Sequence, residues 1–255
     1  MPAKAVYATQ GPPLRQQIQR MLDAAPDHSD DGWVHAVIVP DSNRVKGGSV
    51  SAEVFKAIKG REYRHVIVVA PTHDGEFERI NVCSLDTYRT PLGDVKVSGR
   101  LRDELCDEDD DIYVGDEGHF HTHGIDVQLP FLQTVLGEFD VVPIVMGAES
   151  PDLCRELGHA IGEIMYNQPT LIVACANITR AEDAELVRLR ELIEERHISG
   201  LMQLMFSDRM EVEGAGAILV ALLAAEHRRA QRIQITALSG PEGEAPGYIG
   251  ALLSA

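Results

Sequence analysis

The sequence predicts an α/β fold with a mostly parallel central sheet and helices on both faces, because short apolar runs alternate with helical patterns. Trp33–Pro40 and His65–Ala70 are predicted as strands buried on both faces, since each is short, rich in β-branched residues and bounded by proline. Between them, Val54, Phe55 and Ile58 recur at helical spacing. Strand, helix and strand within about forty residues are typical of a parallel βαβ unit.

The remaining elements continue this alternation. A short helix is expected near residues 14–22, and Thr87–Asp94 is expected to form a turn because it contains Pro91 and Gly93. Further strands are predicted at residues 80–85, 139–146, 170–176, 232–238 and 248–253, and further helices at residues 98–106, 125–132, 151–165, 181–195 and 214–226. No repeat or linker marks a second domain, so residues 1–255 are expected to form a single domain.

Composition and charge predict a soluble, cytoplasmic protein. Lys and Arg number 23 against 40 Asp and Glu, which gives a net charge of −17. This excess repels phosphate backbones and anionic membranes, so neither nucleic acid nor a membrane is an expected partner. The longest apolar run, residues 217–225, is too short to span a bilayer, and the four cysteines contain no C-x-x-C pair, which fits a reducing compartment. The oligomeric state stays open.

Four predicted strand ends or helix starts carry polar residues that could form a cleft. Asp41 follows the first strand, His73 follows the second, Asn177 follows the strand at residues 170–176, and Glu213 precedes the buried helix. Ligands of open α/β sheets bind outside the carboxyl ends of the strands, so these side chains are expected to converge.

Motifs from Val34 to the C-terminus resemble those of a known family in order and spacing. They are Val39-Pro-Asp41, Pro71-Thr-His-Asp74, Tyr88-Arg-Thr-Pro-Leu-Gly-Asp94, His123-Gly-Ile-Asp-Val-Gln-Leu-Pro-Phe-Leu132 and Val142-Pro-Ile-Val-Met-Gly147. Together they resemble the Memo family, the Memo-like proteins of the AmmeMemoRadiSam system protein B type. This resemblance implies a Memo-like fold, related to that of the class III extradiol dioxygenases.

The cleft departs from the family pattern. Memo-like proteins have a histidine after the first strand, another after the second, and a cysteine at the glycine-rich helix start, where the dioxygenases have a glutamate. This chain has Asp41, His73 and Glu213 in those places, and it has Asn177 and Arg180 where the family pattern has an aspartate and a histidine. The resemblance therefore implies a degenerate metal-type cleft.

The first functional hypothesis is a metal-dependent, oxidoreductase-like enzyme acting on an unknown small substrate. One imidazole and two carboxylates, from His73, Asp41 and Glu213, can bind a divalent ion such as iron, manganese or zinc. A carboxylate in place of the first imidazole weakens selectivity for Fe(II) and favours harder ions. His123 is the candidate acid/base residue, because imidazole exchanges protons near neutral pH.

The second hypothesis is a non-catalytic protein that binds a small molecule or a peptide and has lost the metal. Asn177 and Arg180 would then contact the ligand, and the guanidinium of Arg180 suits a carboxylate or phosphate group. The candidate ligands also have purely structural explanations: Asp41 could cap a turn, Glu213 could favour a helix N-terminus, and His73 could be a hydrogen-bonded loop residue.

Two further segments are expected to be solvated loops. His119 and His121 alternate with His123, but only His123 belongs to the family motif. The acidic run Asp107–Asp111 is expected to stay in solvent, because adjacent like charges repel one another.

Overall fold

The computed structural model describes residues 11–28, 32–73, 75, 77–106, 111–119, 123–166 and 168–255, with His123 described by its backbone alone. The helices are α1 (Gly11–Ala24), α2 (Val45–Ala57), α3 (Gly99–Leu105), α4 (His123–Val135), α5 (Pro151–Ile164), α6 (Asp183–Glu194), α7 (Ile198–Met205) and α8 (Ala215–His227). The strands are β1 (Val34–Pro40), β2 (His65–Pro71), β3 (Ile80–Val82), β4 (Thr87–Thr90), β5 (Gly93–Lys96), β6 (Ile112–Val114), β7 (Asp140–Met146), β8 (Thr170–Arg180), β9 (Glu211–Glu213), β10 (Arg232–Leu238) and β11 (Gly247–Ser254).

The central sheet has a parallel centre and antiparallel pairings toward its margins. Its strand order is β10-β11-β1-β8-β2-β7-β3-β6. The neighbours β1, β8, β2 and β7 are parallel, whereas β11 runs antiparallel to β1 and β3 runs antiparallel to β7. The carboxyl ends of β1, β2, β7 and β8 therefore lie along one edge of the sheet.

Helices cover both faces of this sheet, because the central strands alternate apolar side chains between two cores. Ala36 and Ile38 of β1 face the core that contains α3, α5, α6, α7 and α8. Val37 and Val39 face the core that contains α1, α2 and α4. Helix α8 is apolar and buried around nearly its whole circumference, which explains its lack of an amphipathic pattern. The predicted α/β class with helices on both faces is confirmed.

The structure also differs from the predicted elements in several places. Thr87–Asp94 is not only a turn: β4 and β5 pair as an antiparallel hairpin around Pro91 and Leu92. Strand β8 continues to Arg180 instead of ending at Ala176, because it gains antiparallel pairings with β9 and β11. The sequence did not predict β6, β9 or α7. Most of the acidic run, residues 107–110, lies outside the described residues.

No helix among the described residues is long and apolar enough to cross a membrane.

Buried His35 predicts an acid-sensitive stability. Burial lowers the pKa of His35 to about 4, and the nearby positive charge of Arg228 acts in the same direction. The unfolded chain takes up this proton below its ordinary pKa of about 6.5, so stability falls as the pH drops from 6.5 toward 4. We expect His35 alone to lower the free energy of unfolding by about 2 kcal/mol between pH 7 and pH 5.

Urea unfolding at both pH values tests this expectation. In His35→Gln, the decrease in the free energy of unfolding between pH 7 and pH 5 should be smaller by about 2 kcal/mol than in the wild type. His159→Gln removes an exposed imidazole and should leave the loss unchanged. An equal loss in wild type and His35→Gln would contradict the prediction.

Candidate functional site

Four of the polar residues from strand ends meet at the carboxyl edge of the sheet. Asp41 follows β1 directly, and its backbone N–H donates to the carbonyl of Ala176 in β8 at 3.2 Å. His73 lies two residues beyond the end of β2. Glu213 ends β9, where it pairs in register with Asn177 of β8. The antiparallel attachment of β9 to β8 thus brings Glu213 to the ends of the parallel strands.

The imidazole of His73 lies between two carboxylates. Its Nε2 atom is 3.2 Å from Oδ2 of Asp41 and 3.4 Å from Oε1 of Glu213. The side chain of Asp41 has no exposed area, whereas those of His73 and Glu213 are 19% and 35% exposed. The cluster therefore has a desolvated side at Asp41 and an open side at Glu213.

Asp41 is the least satisfied member of this cluster. Within the described structure neither of its carboxylate oxygens makes a hydrogen bond, although Oδ2 lies at ion-pair distance from His73. The amide of Asn177 donates to the backbone carbonyl of Asp41 and, at 3.2 Å, to Oε2 of Glu213. Asn177 therefore holds two members of the cluster in place, while the carboxylate of Asp41 stays without a donor.

Helix α4 packs its N-terminus against Asp41. A Cβ added to Gly124 would lie 3.4 Å from Cγ of Asp41 and 2.8 Å from Cβ of Ala70, so only glycine lets the helix come this close. Gln128 of the same helix donates to the carbonyl of Pro40 at 2.9 Å. The H-G-I-D-x-Q motif thus packs α4 against the end of β1. The side chain of His123 is outside the described part, so its acid/base role stays a prediction.

The start of α8 also requires glycine. Gly214 has φ of +83°, and a Cβ added to it would lie 2.1 Å from the carbonyl oxygen of Cys175. Both the left-handed conformation and the close approach to β8 exclude other residues. This turn places Glu213 beside His73 and starts the buried helix immediately afterwards.

Arg180 is not part of this cluster. Its guanidinium donates to the carbonyl of Asp208 and lies 3.6 Å from the carboxylate of Glu211, and its side chain is 55% exposed. The geometry therefore assigns Arg180 to the attachment of β9, and its predicted contact with a ligand stays a prediction.

A cavity of about 400 Å³ opens beside the cluster. It is lined by residues from the ends of β2 and β7, by Phe206, by Glu213 and Gly214, and by Glu149 in the loop before α5. No sequence pattern indicated Glu149 or Phe206 as site residues. Neither belongs to a motif, and the only available signal was the position of Glu149 just beyond a predicted strand end.

His119 corrects one prediction. Instead of lying in a solvated loop, it is 6% exposed, and its Nε2 lies 3.1 Å from the carbonyl oxygen of Asn81. Burial lowers its pKa, and the imidazole packs beside a small pocket of its own, away from the cleft. His121 lies outside the described residues.

Within the described ranges, no three His, Cys, Asp or Glu side chains form a ready-made metal site. In the cluster, His73 contacts the two carboxylates directly. An ion held there would replace these direct contacts.

Comparison with known proteins agrees with the motifs. A family model described as Memo-like protein matches residues 2–242. A MEMO1 family protein of Nitrosopumilus maritimus (strain SCM1) is 24% identical over 230 residues, which cover 85% of this chain and 84% of the relative. Another MEMO1 family protein, from Aquifex aeolicus (strain VF5), is 28% identical over 195 residues, which cover 74% of this chain and 71% of the relative.

A solved structure shares the fold. The uncharacterized protein JW3007 from Escherichia coli K12 superposes with a TM-score of 0.57 at 13% identity, covering 87% of this chain and 100% of that one. At this identity the likeness concerns the fold alone. The match of the family model over nearly the whole sequence goes further, and the chain belongs to the Memo-like protein family.

Proposed function

We propose that the cluster of Asp41, His73 and Glu213 binds one divalent metal ion and that the loaded site acts on a small molecule in the adjoining cavity. The observation that carries this proposal is the position of the His73 ring nitrogen between two carboxylates, one of them fully desolvated. A buried carboxylate without a donor is unfavourable unless a cation neutralises it.

The spacing of the three groups suits a shared ion. Two ligand atoms that each lie about 2.1 Å from one ion are separated by about 3 to 3.5 Å. The nitrogen–oxygen separations of 3.2 and 3.4 Å fall in this range. One ion could therefore bridge the imidazole to each carboxylate at these separations.

The surroundings support the same assignment. Asn177 donates to Glu213 and to the backbone of Asp41, so it can orient the ligand set from behind, as outer-shell donors commonly do. Two carboxylates and one imidazole fit iron, manganese or zinc, and the oxygen-rich set favours the harder ions. A bound ion would supply Lewis-acid chemistry at the mouth of the cavity.

Elemental analysis of protein purified without an affinity tag or chelator tests this function. We expect about one ion per chain in the wild type and at least a tenfold loss in His73→Ala and in Glu213→Ala, because each removes one ligand. Glu211→Ala is the matched control, because it removes a carboxylate from the same short strand as Glu213. The carboxylate of Glu211 contacts Arg180. Wild-type protein that is empty and stays empty after incubation with iron, manganese and zinc would overturn the proposal.

A further inference from the structure

The cavity beside the cluster contains an acidic residue that the proposed metal site does not use. Glu149 lies in the loop between β7 and α5 and lines the cavity together with Glu213, Phe206 and Met146. The backbone N–H groups of Ala215 and Gly216, in the first turn of α8, hydrogen-bond to its carboxyl group. The carboxyl group is therefore fixed in place by a helix start whose own N-cap residue, a glycine, has no side chain.

One oxygen of this carboxyl group lacks a partner among the described residues. Oε1 of Glu149 is shielded from solvent and makes no hydrogen bond within the described residues. The amides of Ala215 and Gly216 contact the carboxyl group, and the same residue lines the cavity. A buried acceptor of this kind is unfavourable unless a ligand donates to it.

The charge around Glu149 indicates what such a ligand must carry. Among the described residues that line the cavity, two are carboxylates and none is Lys, Arg or His. Burial raises the pKa of Glu149 to about 7; the amides of Gly216 and Ala215 oppose this effect, and the negative charges of Glu213 and Asp41 add to it. The described lining residues therefore supply acidic groups and no basic side chain.

We propose that this cavity binds a small primary amine, with its ammonium group on the carboxylate of Glu149 and its apolar body against the exposed ring of Phe206. An ammonium group has three donors and neutralises a carboxylate, and it is also attracted to the face of an aromatic ring. The cavity volume of about 400 Å³ suits a molecule the size of one aromatic ring with a short chain. The proposal does not require an ion in the cluster.

Three probes of nearly equal size and different charge test this inference: benzylamine, benzyl alcohol and benzoate. Binding is followed by ¹H–¹⁵N NMR titration of the full chain in the presence of EDTA. We expect benzylamine to bind at least about tenfold more tightly than the other two, because it alone can pair with the carboxylate. Equal affinities for benzylamine and benzyl alcohol would overturn the proposal.

Two variants locate the contact. Glu149→Gln should reduce benzylamine affinity about tenfold, while Glu138→Gln, which removes an exposed carboxylate elsewhere, should not change it. Asp41→Asn should keep most of the affinity, because the ammonium group lies on Glu149. If Asp41→Asn reduces the affinity for benzylamine as much as Glu149→Gln does, the amine binds at the cluster and the proposal is wrong.

A second arm separates this inference from the metal site. The same titrations are repeated after addition of Mn²⁺, and the metal content of each sample is measured. A chain that binds benzylamine through Glu149 but takes up no metal would refute the proposed metal function and support the amine site. If Glu149→Gln does not fold, Phe206→Ala takes its place. This variant should bind benzylamine more weakly than the wild type but should still prefer it over benzyl alcohol. Loss of that preference would overturn the assignment.

Discussion

Gly214→Ala is expected to lower the free energy of unfolding by about 3 kcal/mol or more, because it combines two separate penalties. The residue has φ of +83°, a conformation that is strained for any residue with a Cβ. The new Cβ would also lie 2.1 Å from the backbone carbonyl oxygen of Cys175, which cannot rotate away. Either β8 or α8 must move, and Glu213 lies between them.

Gly60→Ala separates the two penalties. Gly60 has a similar φ of +77°, but an added Cβ would meet no atom within 4 Å. We expect this control to lose only about 1 kcal/mol, the conformational part alone. Urea unfolding of both variants at neutral pH measures the difference. Equal losses would mean that α8 and β8 have room to separate and that the close approach is not required.

The central strands could be predicted from the sequence because their burial on both faces is visible as continuous apolar runs. Trp33–Pro40 and His65–Ala70 differ from the observed β1 and β2 by one residue at one end. Parallel strands place their carboxyl ends on one edge, so the convergence of Asp41 and His73 followed from topology alone. The same rule does not say whether the converging groups hold an ion.

Other parts of the site depend on contacts between distant segments. Glu211–Glu213 is a strand only because it pairs with the extension of β8, and three residues carry no periodic pattern. Glu149 looks like a solvated loop residue in the sequence, and its burial results from the approach of α8. The sequence predicts His119 in a solvated loop, because the contact that buries it is also long-range. Its hydrogen bond to Asn81 joins segments that are 38 residues apart.

Asp41→Asn should abolish metal binding without lowering the stability of the metal-free protein. The carboxylate has no exposed area and makes no hydrogen bond with the described residues, although it lies 3.2 Å from the imidazole of His73, and the neighbouring Glu213 carries the same charge as Asp41. Asparagine has the same shape and no charge to bury, so we expect the metal-free variant to be more stable by about 1 kcal/mol. Its metal affinity should fall at least about a hundredfold, because the amide is a poor ligand in place of a carboxylate.

Thermal and urea unfolding with and without Mn²⁺ measure both effects. At an ion concentration of about 100 times the dissociation constant, the wild type should gain about 2.7 kcal/mol, and Asp41→Asn should gain almost nothing. Asp116→Asn is the control. Asp116 lies outside the cluster, where it accepts a hydrogen bond of 2.7 Å from the Ser84 hydroxyl. The stability that Mn²⁺ adds to the protein should persist in this variant. If metal-free Asp41→Asn is instead destabilised by several kcal/mol, the Asp41–His73 ion pair is a structural contact and the prediction is wrong. Breaking a buried ion pair leaves one charge uncompensated, which is strongly unfavourable.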